Sequence, residues 1–499
     1  MGGEPYDLAI VGGGINGTGI AADAAGRGLK VVLFERGDLA EGTSSASSKL
    51  IHGGLRYLEH GEFRLVREAL LEREVLLARA PHLIHPLRFI IPHTTGMRPR
   101  ALTRLGLFLY DHLAARRRVP GSAAVDLKRD PAGRPLTPTI AAGFSYYDCA
   151  VDDARLVVLL AVDAAARGAR IVTRAPVTRA TRREGLWEVT SDTAAGPTSI
   201  AARVLVNAAG PWCTEVARLA GDATAPALRL VRGAHIVVPR IAGADDAYLL
   251  QNDDGRIVFV LPFEERFTLI GTTEVSVGSA ADGFVASEAE TDYLLAATAR
   301  FFAHPPSRAD VVWRFAGVRP LVEDGARSAS AISRDYRLDL DEIDDGPPLL
   351  NVIGGKITTF RRLAEAALDR LAAFFPGMGP PWTAAAPLPG GAFGGSDFAG
   401  YCEDLVRRHP AIARETLQGL ARRYGTRADE VIGDAAEDAD LGAAIGSELT
   451  AREVIYLRDA EWARTPDDVL WRRTKAGLHI GALQIDTARQ HIAEVLASP

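Results

Sequence analysis

The hydrophobic pattern at the start of the chain alternates between the periods of strands and helices. An apolar run at residues 7–11 predicts a buried strand, residues 15–27 have helical periodicity, and residues 30–35 predict another buried strand. Glycines fill the junction between the first strand and the helix. The chain is therefore predicted to begin with a βαβ unit, which belongs to an α/β fold.

A second helix and strand pattern begins after residues 152–153, two aspartates that suit a helix N-terminus. An apolar helical stretch at residues 156–166 leads to strand patterns at residues 171–173 and 204–206. Because this segment resumes the α/β pattern of the first one, the nucleotide-binding domain is predicted to be discontinuous.

The pattern becomes richer in strands at residues 235–238, 257–260 and 267–270, which predicts an antiparallel sheet in a substrate domain. A tract rich in Pro and Gly at residues 376–395 indicates a linker, and the chain beyond residue 401 is predicted to be all-helical. The predicted division is 1–80 and 146–228 for the nucleotide-binding domain, 81–145 and 229–320 for the substrate domain, 321–380 for a return to the nucleotide-binding domain, and 381–499 for a helical C-terminal domain.

Composition limits the classes of function. The 499 residues are 47% hydrophobic, which suits two or three folded domains, and 57 basic against 63 acidic residues argue against a nucleic-acid partner. Three widely spaced cysteines without a histidine cluster predict neither disulfides nor a metal site, and they suit a reducing cytoplasm. No apolar run approaches the roughly 18 residues of a membrane span, so any membrane contact is expected to be peripheral.

The glycine-rich junction fits the dinucleotide-binding pattern GxGxxG, with Gly12, Gly14 and Gly17 in the key positions. The first glycine permits a tight turn, the second lets a pyrophosphate approach the helix N-terminus, and the third lets helix and strand pack closely. Glu35 ends the next strand, where an acidic side chain accepts the ribose hydroxyls. The strand at residues 206–210 ends in small residues, which favours FAD over NAD.

The most specific stretch of sequence is residues 42–58, GTSSASSKLIHGGLRYL, and it resembles the flavin-contacting segment of FAD-dependent (aerobic) glycerol-3-phosphate dehydrogenases. Similar matches follow in order along nearly the whole chain. One departure is Glu274, where that family usually has Asp. The further matches lie at residues 147–156, 233–239, 271–273, 317–320, 333–336, 354–356 and 471–475.

The resemblance implies a Rossmann-like FAD-binding domain, a glycine-oxidase-like substrate domain with an antiparallel sheet, and a helical C-terminal domain. It also implies oxidation of sn-glycerol 3-phosphate at C2 to dihydroxyacetone phosphate by hydride transfer to FAD. The polar run after the ribose strand is placed to reach the flavin. The predicted cofactor-binding residues are Gly12, Gly14, Ile15, Asn16, Gly17, Glu35, Arg36, Thr43, Ser44, Ser45, Ser48, Lys49, Leu50, His52, Gly53, Val177, Ala209, Gly210, Gly355, Lys356 and Thr358.

The resemblance also assigns the substrate site. Arg56, Arg334 and Lys356, with the hydroxyl of Tyr57, are expected to hold the phosphate, because guanidinium groups pair two oxygens at once and lysine adds a point charge.

Removing a hydride from an alcohol requires that its hydroxyl proton also leave, so the site must stabilise a developing alkoxide. Arg319 is the candidate for this task. His235, with an ordinary pKa of about 6.5, is the candidate proton acceptor, and Thr272 is a third candidate catalytic residue.

The basic stretch from Arg88 to Arg118 has seven arginines and one acidic residue, and Leu105, Phe108, Leu109 and Leu113 share one helical face. A membrane-surface helix and a core-packed helix with a basic flank both fit this pattern. The resemblance favours a peripheral location on the inner face of the cytoplasmic membrane, with a quinone as electron acceptor.

The alternatives are a glycerol-3-phosphate oxidase that uses O2 and, more distantly, a flavin amine oxidase of the glycine-oxidase type. The acidic balance disfavours an RNA-modifying flavoprotein. The sequence leaves the oligomeric state open, with a homodimer as one prediction.

Overall fold

The computed structural model describes residues 4–94, 97, 99–115, 118–222, 227–322, 335–342 and 346–498. The strands predicted at residues 7–11 and 30–35 and the helix predicted at 15–27 are present, with bounds that differ from the prediction by one residue at most. The strands are β1 (Tyr6–Val11), β2 (Val31–Phe34), β3 (Leu50–Ile51), β4 (Ile84–His93), β5 (Ala123–Asp126), β6 (Ala142–Val151), β7 (Arg170–Val172), β8 (Val177–Arg183), β9 (Leu186–Thr193), β10 (Gly196–Asn207), β11 (Leu228–Pro239), β12 (Ala247–Gln251), β13 (Ile257–Phe263), β14 (Phe267–Gly271), β15 (Val275–Val277), β16 (Trp313–Val322), β17 (Arg337–Asp341), β18 (Leu349–Ile353), β19 (Ala444–Gly446) and β20 (Leu449–Thr450).

The helices alternate with the strands in the first part of the chain and dominate its end. None of the helices in the described ranges combines the length and apolar content that crossing a bilayer requires. The α-helices are α1 (Ile15–Gly26), α2 (Phe63–Arg79), α3 (Arg100–His112), α4 (Asp153–Ala166), α5 (Cys213–Leu219), α6 (Glu288–Ala299), α7 (Phe360–Leu371), α8 (Phe398–Arg408), α9 (Arg414–Tyr424), α10 (Ala428–Ile432), α11 (Ala451–Glu461), α12 (Ala476–His479) and α13 (Ile485–Ala497).

The first sheet has the strand order β17-β18-β10-β1-β2-β7, and β8 and β9 extend it as an antiparallel ribbon on β10. Its central strands are parallel, as the predicted βαβ unit requires. Helices α1, α4 and α7 share one apolar core with these strands. Because β1, β2, β10 and β18 run in the same direction, their carboxyl ends meet at one edge, where ligands of such sheets bind.

The second sheet has the order β15-β11-β14-β13-β12-β4-β6-β3, with β16 on β11 and β5 on β6. Its pairs are antiparallel except for β12 and β4. Its last strand, β3, belongs to the segment that follows the ribose strand, so this segment runs from the first sheet into the second. The domain boundary predicted at residues 145–146 is wrong, because β6 continues to Val151 by pairing with β4 along its whole length.

The C-terminal unit has its own apolar core, formed by α8 to α13 and the short β19-β20 hairpin. The hairpin corrects the all-helical prediction for this region. Two residues of its turn have positive φ angles. Gly446 (φ 138°) adopts such an angle at low cost because it has no side chain, and Ser447 lies in the left-handed region.

Buried ion pairs fasten the C-terminal unit to the first sheet. Arg473, in a π-helical segment, donates two 2.8 Å hydrogen bonds to Asp38, and both side chains are fully buried. Lys475 donates to Asp152 at 2.9 Å, which is the residue that caps the N-terminus of α4. Because Asp38 lies three residues after Glu35, the C-terminal unit supports the loop that borders the predicted ribose site.

Candidate active site

The glycine turn after β1 forms a cradle that no side chain can enter. Gly12 has a φ of 118°, and a Cβ atom there would lie 2.5 Å from the carbonyl oxygen of Ala208 at the end of β10. A Cβ atom on Gly17 would lie 1.9 Å from the carbonyl oxygen of Gly12. The three predicted glycines therefore bring the N-terminus of α1 and the ends of two strands together, leaving only backbone for a ligand to approach.

Glu35 lies beside this cradle. Its carboxylate accepts hydrogen bonds from the N–H groups of Gly13 (2.6 Å) and Gly37 (2.8 Å), and burial raises its pKa. The N–H of Ala175 donates to the carbonyl oxygen of Glu35 at 2.8 Å, which places the start of β8, and with it Val177, near the same strand end. Glu35 and Val177, both predicted to bind the cofactor, are therefore neighbours in the fold.

Arg36 stacks on a residue that sequence reasoning missed. Its guanidinium carbon lies 3.7 Å from the centroid of the Trp212 ring, and Trp212 follows the turn at Ala209-Gly210. A Cβ atom on Gly42 would also touch this ring. The only sequence signal was an aromatic residue just after the small residues that end β10, and that signal is weak.

A third chain segment reaches the cradle after β18. The side-chain amide of Asn16 donates to the carbonyl oxygen of Gly354 at 3.0 Å, and a Cβ atom on Gly355 would lie 2.8 Å from Leu363. The hydroxyl of Thr358 accepts from the N–H of His52 at 3.2 Å. Residues more than 300 positions apart are thereby brought to one place.

The segment from Thr43 to Gly53, which includes β3, is held from several sides. The N–H of Ile15 donates to the hydroxyl of Ser44 at 3.0 Å, and the hydroxyl of Thr43 donates to the carbonyl oxygen of Val318 at 2.6 Å. The N–H of Gly53 donates to the hydroxyl of Tyr110 at 2.8 Å. This segment therefore contacts helix α1, strand β16 of the second sheet and helix α3.

Lys49 and Leu50 turn their side chains into the protein. The Lys49 ammonium group donates to Asp153 at 2.8 Å and to the carbonyl oxygen of Ser45 at 2.9 Å, and Leu50 is in the core. Only the backbone of these two residues is left to meet a cofactor.

FAD fits this arrangement. Glycines in the segments 12–17 and 354–355 leave only backbone beside the ends of β1 and β18. The buried Oδ1 atom of Asn16 accepts no hydrogen bond from the described residues. A buried acceptor without a donor is costly unless a ligand or water supplies one. The FAD hydroxyl, amide and pyrophosphate groups would be held by Glu35, the glycine turn and the run from Thr43 to Gly53.

The predicted phosphate-binding residues are partly brought together. The ammonium group of Lys356 lies 3.7 Å from the centroid of the Tyr57 ring, and Arg56 precedes Tyr57 in a 3-10 helix at Leu55–His60. Arg334 lies outside the described residues. Its neighbour Asp335 pairs with Arg64, an arginine that is 78% exposed.

Arg319, on β16, lies between two side chains of the β14-β15 connection. Its guanidinium group is 3.4 Å from the carboxylate of Glu274 and 3.5 Å from the hydroxyl of Thr272. A Cβ atom on Gly233 would lie 2.6 Å from both the guanidinium of Arg319 and the hydroxyl of Thr272. The Gly233 position on β11 therefore keeps open the space that these two predicted catalytic residues occupy.

His235 is buried on β11, where its ring stacks on Phe315 with centroids 5.0 Å apart. Its Nε2 atom lies 2.9 Å from the hydroxyl of Ser48. Burial, with the nearby charges of Lys49 and Arg319, lowers the pKa of His235 to about 3. The reason for choosing His235 from the sequence, an ordinary pKa near working pH, is therefore wrong for the folded protein, in which the imidazole is neutral.

A small cavity joins the two groups of substrate residues. It measures about 80 Å³, and its lining includes Arg56, Tyr57, Thr272 and Glu274. Arg256, which sequence reasoning did not select, also lines it. Arg56, a candidate for binding the phosphate, thus lines the same cavity as Thr272, whose hydroxyl lies 3.5 Å from the guanidinium of Arg319.

A glycine cradle for a dinucleotide, joined to a polar pocket on a second sheet, defines a flavin-dependent oxidoreductase. Residues 7–354 match the family model of FAD dependent oxidoreductases, and residues 382–498 match the C-terminal domain of alpha-glycerophosphate oxidase. FAD is the cofactor of this enzyme. The predicted fold class is confirmed.

Known proteins narrow the class further. The chain is 51% identical to a D-erythritol 1-phosphate dehydrogenase from Brucella abortus, with 96% of this chain and 95% of that protein covered. It is 51% identical to a glycerol-3-phosphate dehydrogenase from Pseudomonas aeruginosa, with 96% and 94% covered. The crystal structure of a glycerol-3-phosphate dehydrogenase from Bacillus halodurans in complex with FAD has a TM-score of 0.79 and 28% identity, with 100% and 92% covered. The chain belongs to the FAD-dependent glycerol-3-phosphate dehydrogenase family.

Proposed function

We propose that this enzyme oxidises sn-glycerol 3-phosphate at C2 to dihydroxyacetone phosphate and passes the electrons to a quinone. The observation that carries the proposal is the single cavity bordered by Arg56 and Tyr57, with Lys356 against Tyr57, and by Thr272 next to Arg319. These residues supply groups for the two polar parts of the substrate, the phosphate dianion and the reacting hydroxyl.

Each side chain has a task in this reaction. Lys356 and Arg56 bind the phosphate and so fix the position of C2. When bound, FAD accepts the hydride from C2. Arg319 stabilises the developing alkoxide, and this lowers the pKa of the substrate hydroxyl, so a weak base is sufficient. Neutral His235 remains the proposed base. Its Nδ1 atom is buried and has no hydrogen-bond partner in the described part of the chain.

Anaerobic reduction of the bound flavin tests the substrate proposal. Glycerol 3-phosphate is expected to bleach the yellow flavin within a turnover, whereas glycerol at the same concentration is expected to bleach it at least about 100-fold more slowly, because it lacks the charge that Lys356 and Arg56 bind. The measurement is absorbance near the flavin band in a stopped-flow instrument. Bleaching by glycine instead would assign the enzyme to the amine oxidases, and peroxide formed in proportion to substrate would favour the O2-dependent alternative.

The proposed membrane contact is helix α3. Its Leu102, Leu105 and Phe108 are each 53% exposed, whereas Leu107 and Tyr110 on the opposite side are buried. The apolar face predicted from the sequence, Leu105, Phe108, Leu109 and Leu113, was therefore partly wrong. Leu113 packs against the core, and Leu102 belongs to the exposed side. The predicted basic residues Arg98, Arg116 and Arg117 lie outside the described residues.

The position of α3 supports a quinone as acceptor. Its exposed apolar side faces outward, and on its inner side Tyr110 bonds to Gly53 of the flavin-contacting segment. Because a helix is about 10 Å wide, an apolar molecule in the membrane surface would reach the flavin region over a short path. The proposed location is thus the inner face of the cytoplasmic membrane. The homodimer stays a prediction from the sequence.

Replacing Leu105 and Phe108 with glutamate is expected to weaken binding to anionic lipid vesicles by at least about tenfold, because apolar area buried in the interface sets the affinity. Vesicle co-sedimentation measures this. The matched control is Leu483→Glu, a change at a leucine that is 99% exposed in the C-terminal unit. Equal binding of both variants would exclude α3 as the contact. Reduction of a soluble dye by glycerol 3-phosphate should persist in both.

A further inference from the structure

The cavity beside Arg319 has polar lining residues beyond those that the glycerol 3-phosphate reaction uses. With the phosphate at Arg56 and Lys356 and the reacting hydroxyl at Arg319, the substrate has only its terminal CH2OH group left to place. The cavity measures about 80 Å³, several times the roughly 10–15 Å³ that admits one water molecule. Its walls include Leu55, Leu249 and Phe259.

Two charged side chains that line this cavity, Glu274 and Arg256, have no task in the proposed glycerol reaction. Glu274, whose side chain is 12% exposed, presents a carboxylate that also contacts Arg319. Arg256 presents a guanidinium group to the same cavity. A carboxylate accepts hydrogen bonds and a guanidinium donates them, so together they match the two roles of a hydroxyl group.

Arg256 is fixed in place before any ligand binds. It donates to Asp254 at 2.8 Å through Nε and lies 3.8 Å over the ring of Tyr293. A positioned donor loses little side-chain freedom when a substrate binds. A site built to bond hydroxyl groups between apolar walls also rejects substrates that lack them, because its polar groups are then left unpaired.

We propose that Glu274 and Arg256 bind the distal hydroxyl groups of a polyol phosphate one carbon longer than glycerol, and that such tetritol phosphates are substrates of this enzyme. The inference rests on the proposed function, because it uses the same phosphate and alkoxide groups. The carbinol next to the phosphate-bearing carbon loses its hydrogen as a hydride to FAD and its hydroxyl proton to the protein, which yields a ketone and reduced flavin. The 51% identity to a D-erythritol 1-phosphate dehydrogenase supports this substrate class independently.

The test compares two substrates on one flavin. Rates of anaerobic flavin reduction are measured with D-erythritol 1-phosphate and glycerol 3-phosphate for the natural enzyme, Glu274→Asp and Arg256→Met. The natural enzyme is expected to have a ratio of kcat/KM values, erythritol over glycerol, of about one or more. Each variant is expected to lower that ratio at least about tenfold. The ratio is the readout, since Glu274 contacts Arg319 and both rates will change.

The matched control is Arg300→Met. Arg300 is 44% exposed and pairs with Asp253 beside the same turn, but it does not line the cavity, so the ratio should stay unchanged. The inference is overturned if the natural enzyme has a kcat/KM ratio, erythritol over glycerol substrate, below 0.01, or if both variants lose equal activity with both substrates. In either case, bleaching by glycerol 3-phosphate leaves the proposed function standing. Bleaching by neither phosphate overturns both.

Discussion

Replacing Arg319 with methionine is expected to lower the limiting rate of flavin reduction by glycerol 3-phosphate by about 10²–10³-fold. The guanidinium lies between Thr272 and Glu274, and it is the positive group that we propose meets the oxygen on which negative charge develops. Methionine keeps much of the side-chain volume and removes the charge. Stopped-flow bleaching over a range of substrate concentrations separates the limiting rate from the half-saturating concentration.

Lys356→Met is the comparison that distinguishes stabilisation of the alkoxide from binding. Because Lys356 is proposed to bind the phosphate in the ground state and the transition state alike, its loss should raise the half-saturating concentration more than it lowers the limiting rate. Restoration of the rate in Arg319→Ala by added guanidinium would support the charge assignment. An Arg319→Met enzyme with a normal limiting rate and weak binding would instead assign Arg319 to the phosphate.

The sequence predicted the parts of the site that follow local rules. Gly12, Gly14 and Gly17 each perform a backbone task at a strand-to-helix turn, and those tasks can be read from spacing alone. The same holds for the cap of α4, where Asp152 accepts from the N–H of Arg155 at 3.1 Å. Both features depend on residues only a few positions apart.

The parts that were missed depend on distant contacts. The pKa of His235 is set by its burial and by Lys49 and Arg319, and the three residues come together only through pairing of the second sheet. Arg256 lies in a turn between β12 and β13, where an arginine is ordinarily a surface charge, and its proposed role in substrate binding follows only from its place in the cavity lining. The extent of β6 to Val151 likewise depends on its pairing with β4, which no local pattern specifies.

Replacing Arg473 with methionine is expected to lower the free energy of unfolding by about 3–5 kcal/mol, the usual cost of removing one member of a buried ion pair. Arg473 and Asp38 are both 0% exposed, and Arg473 also donates to the carbonyl oxygen of Glu461 at 2.7 Å. Its loss leaves the carboxylate of Asp38 buried with fewer donors. Urea denaturation followed by circular dichroism gives the measurement.

Two further variants separate the buried charge from lost packing. Arg407→Met, at an arginine that is 76% exposed and pairs with Asp404, should cost less than about 1 kcal/mol. The double variant Arg473→Met/Asp38→Asn should regain part of the loss, because the side chain left without Arg473 is then neutral, and Arg472, which also donates to Asp38, keeps its second carboxylate partner, Asp468. Since Asp38 lies three residues after Glu35, Arg473→Met should also release FAD faster than the natural enzyme does. If Arg473→Met and Arg407→Met lost equal stability, the buried ion pair would not stabilise the fold. If Arg473→Met retained FAD as well as the natural enzyme does, the C-terminal unit would have no part in holding the cofactor loop.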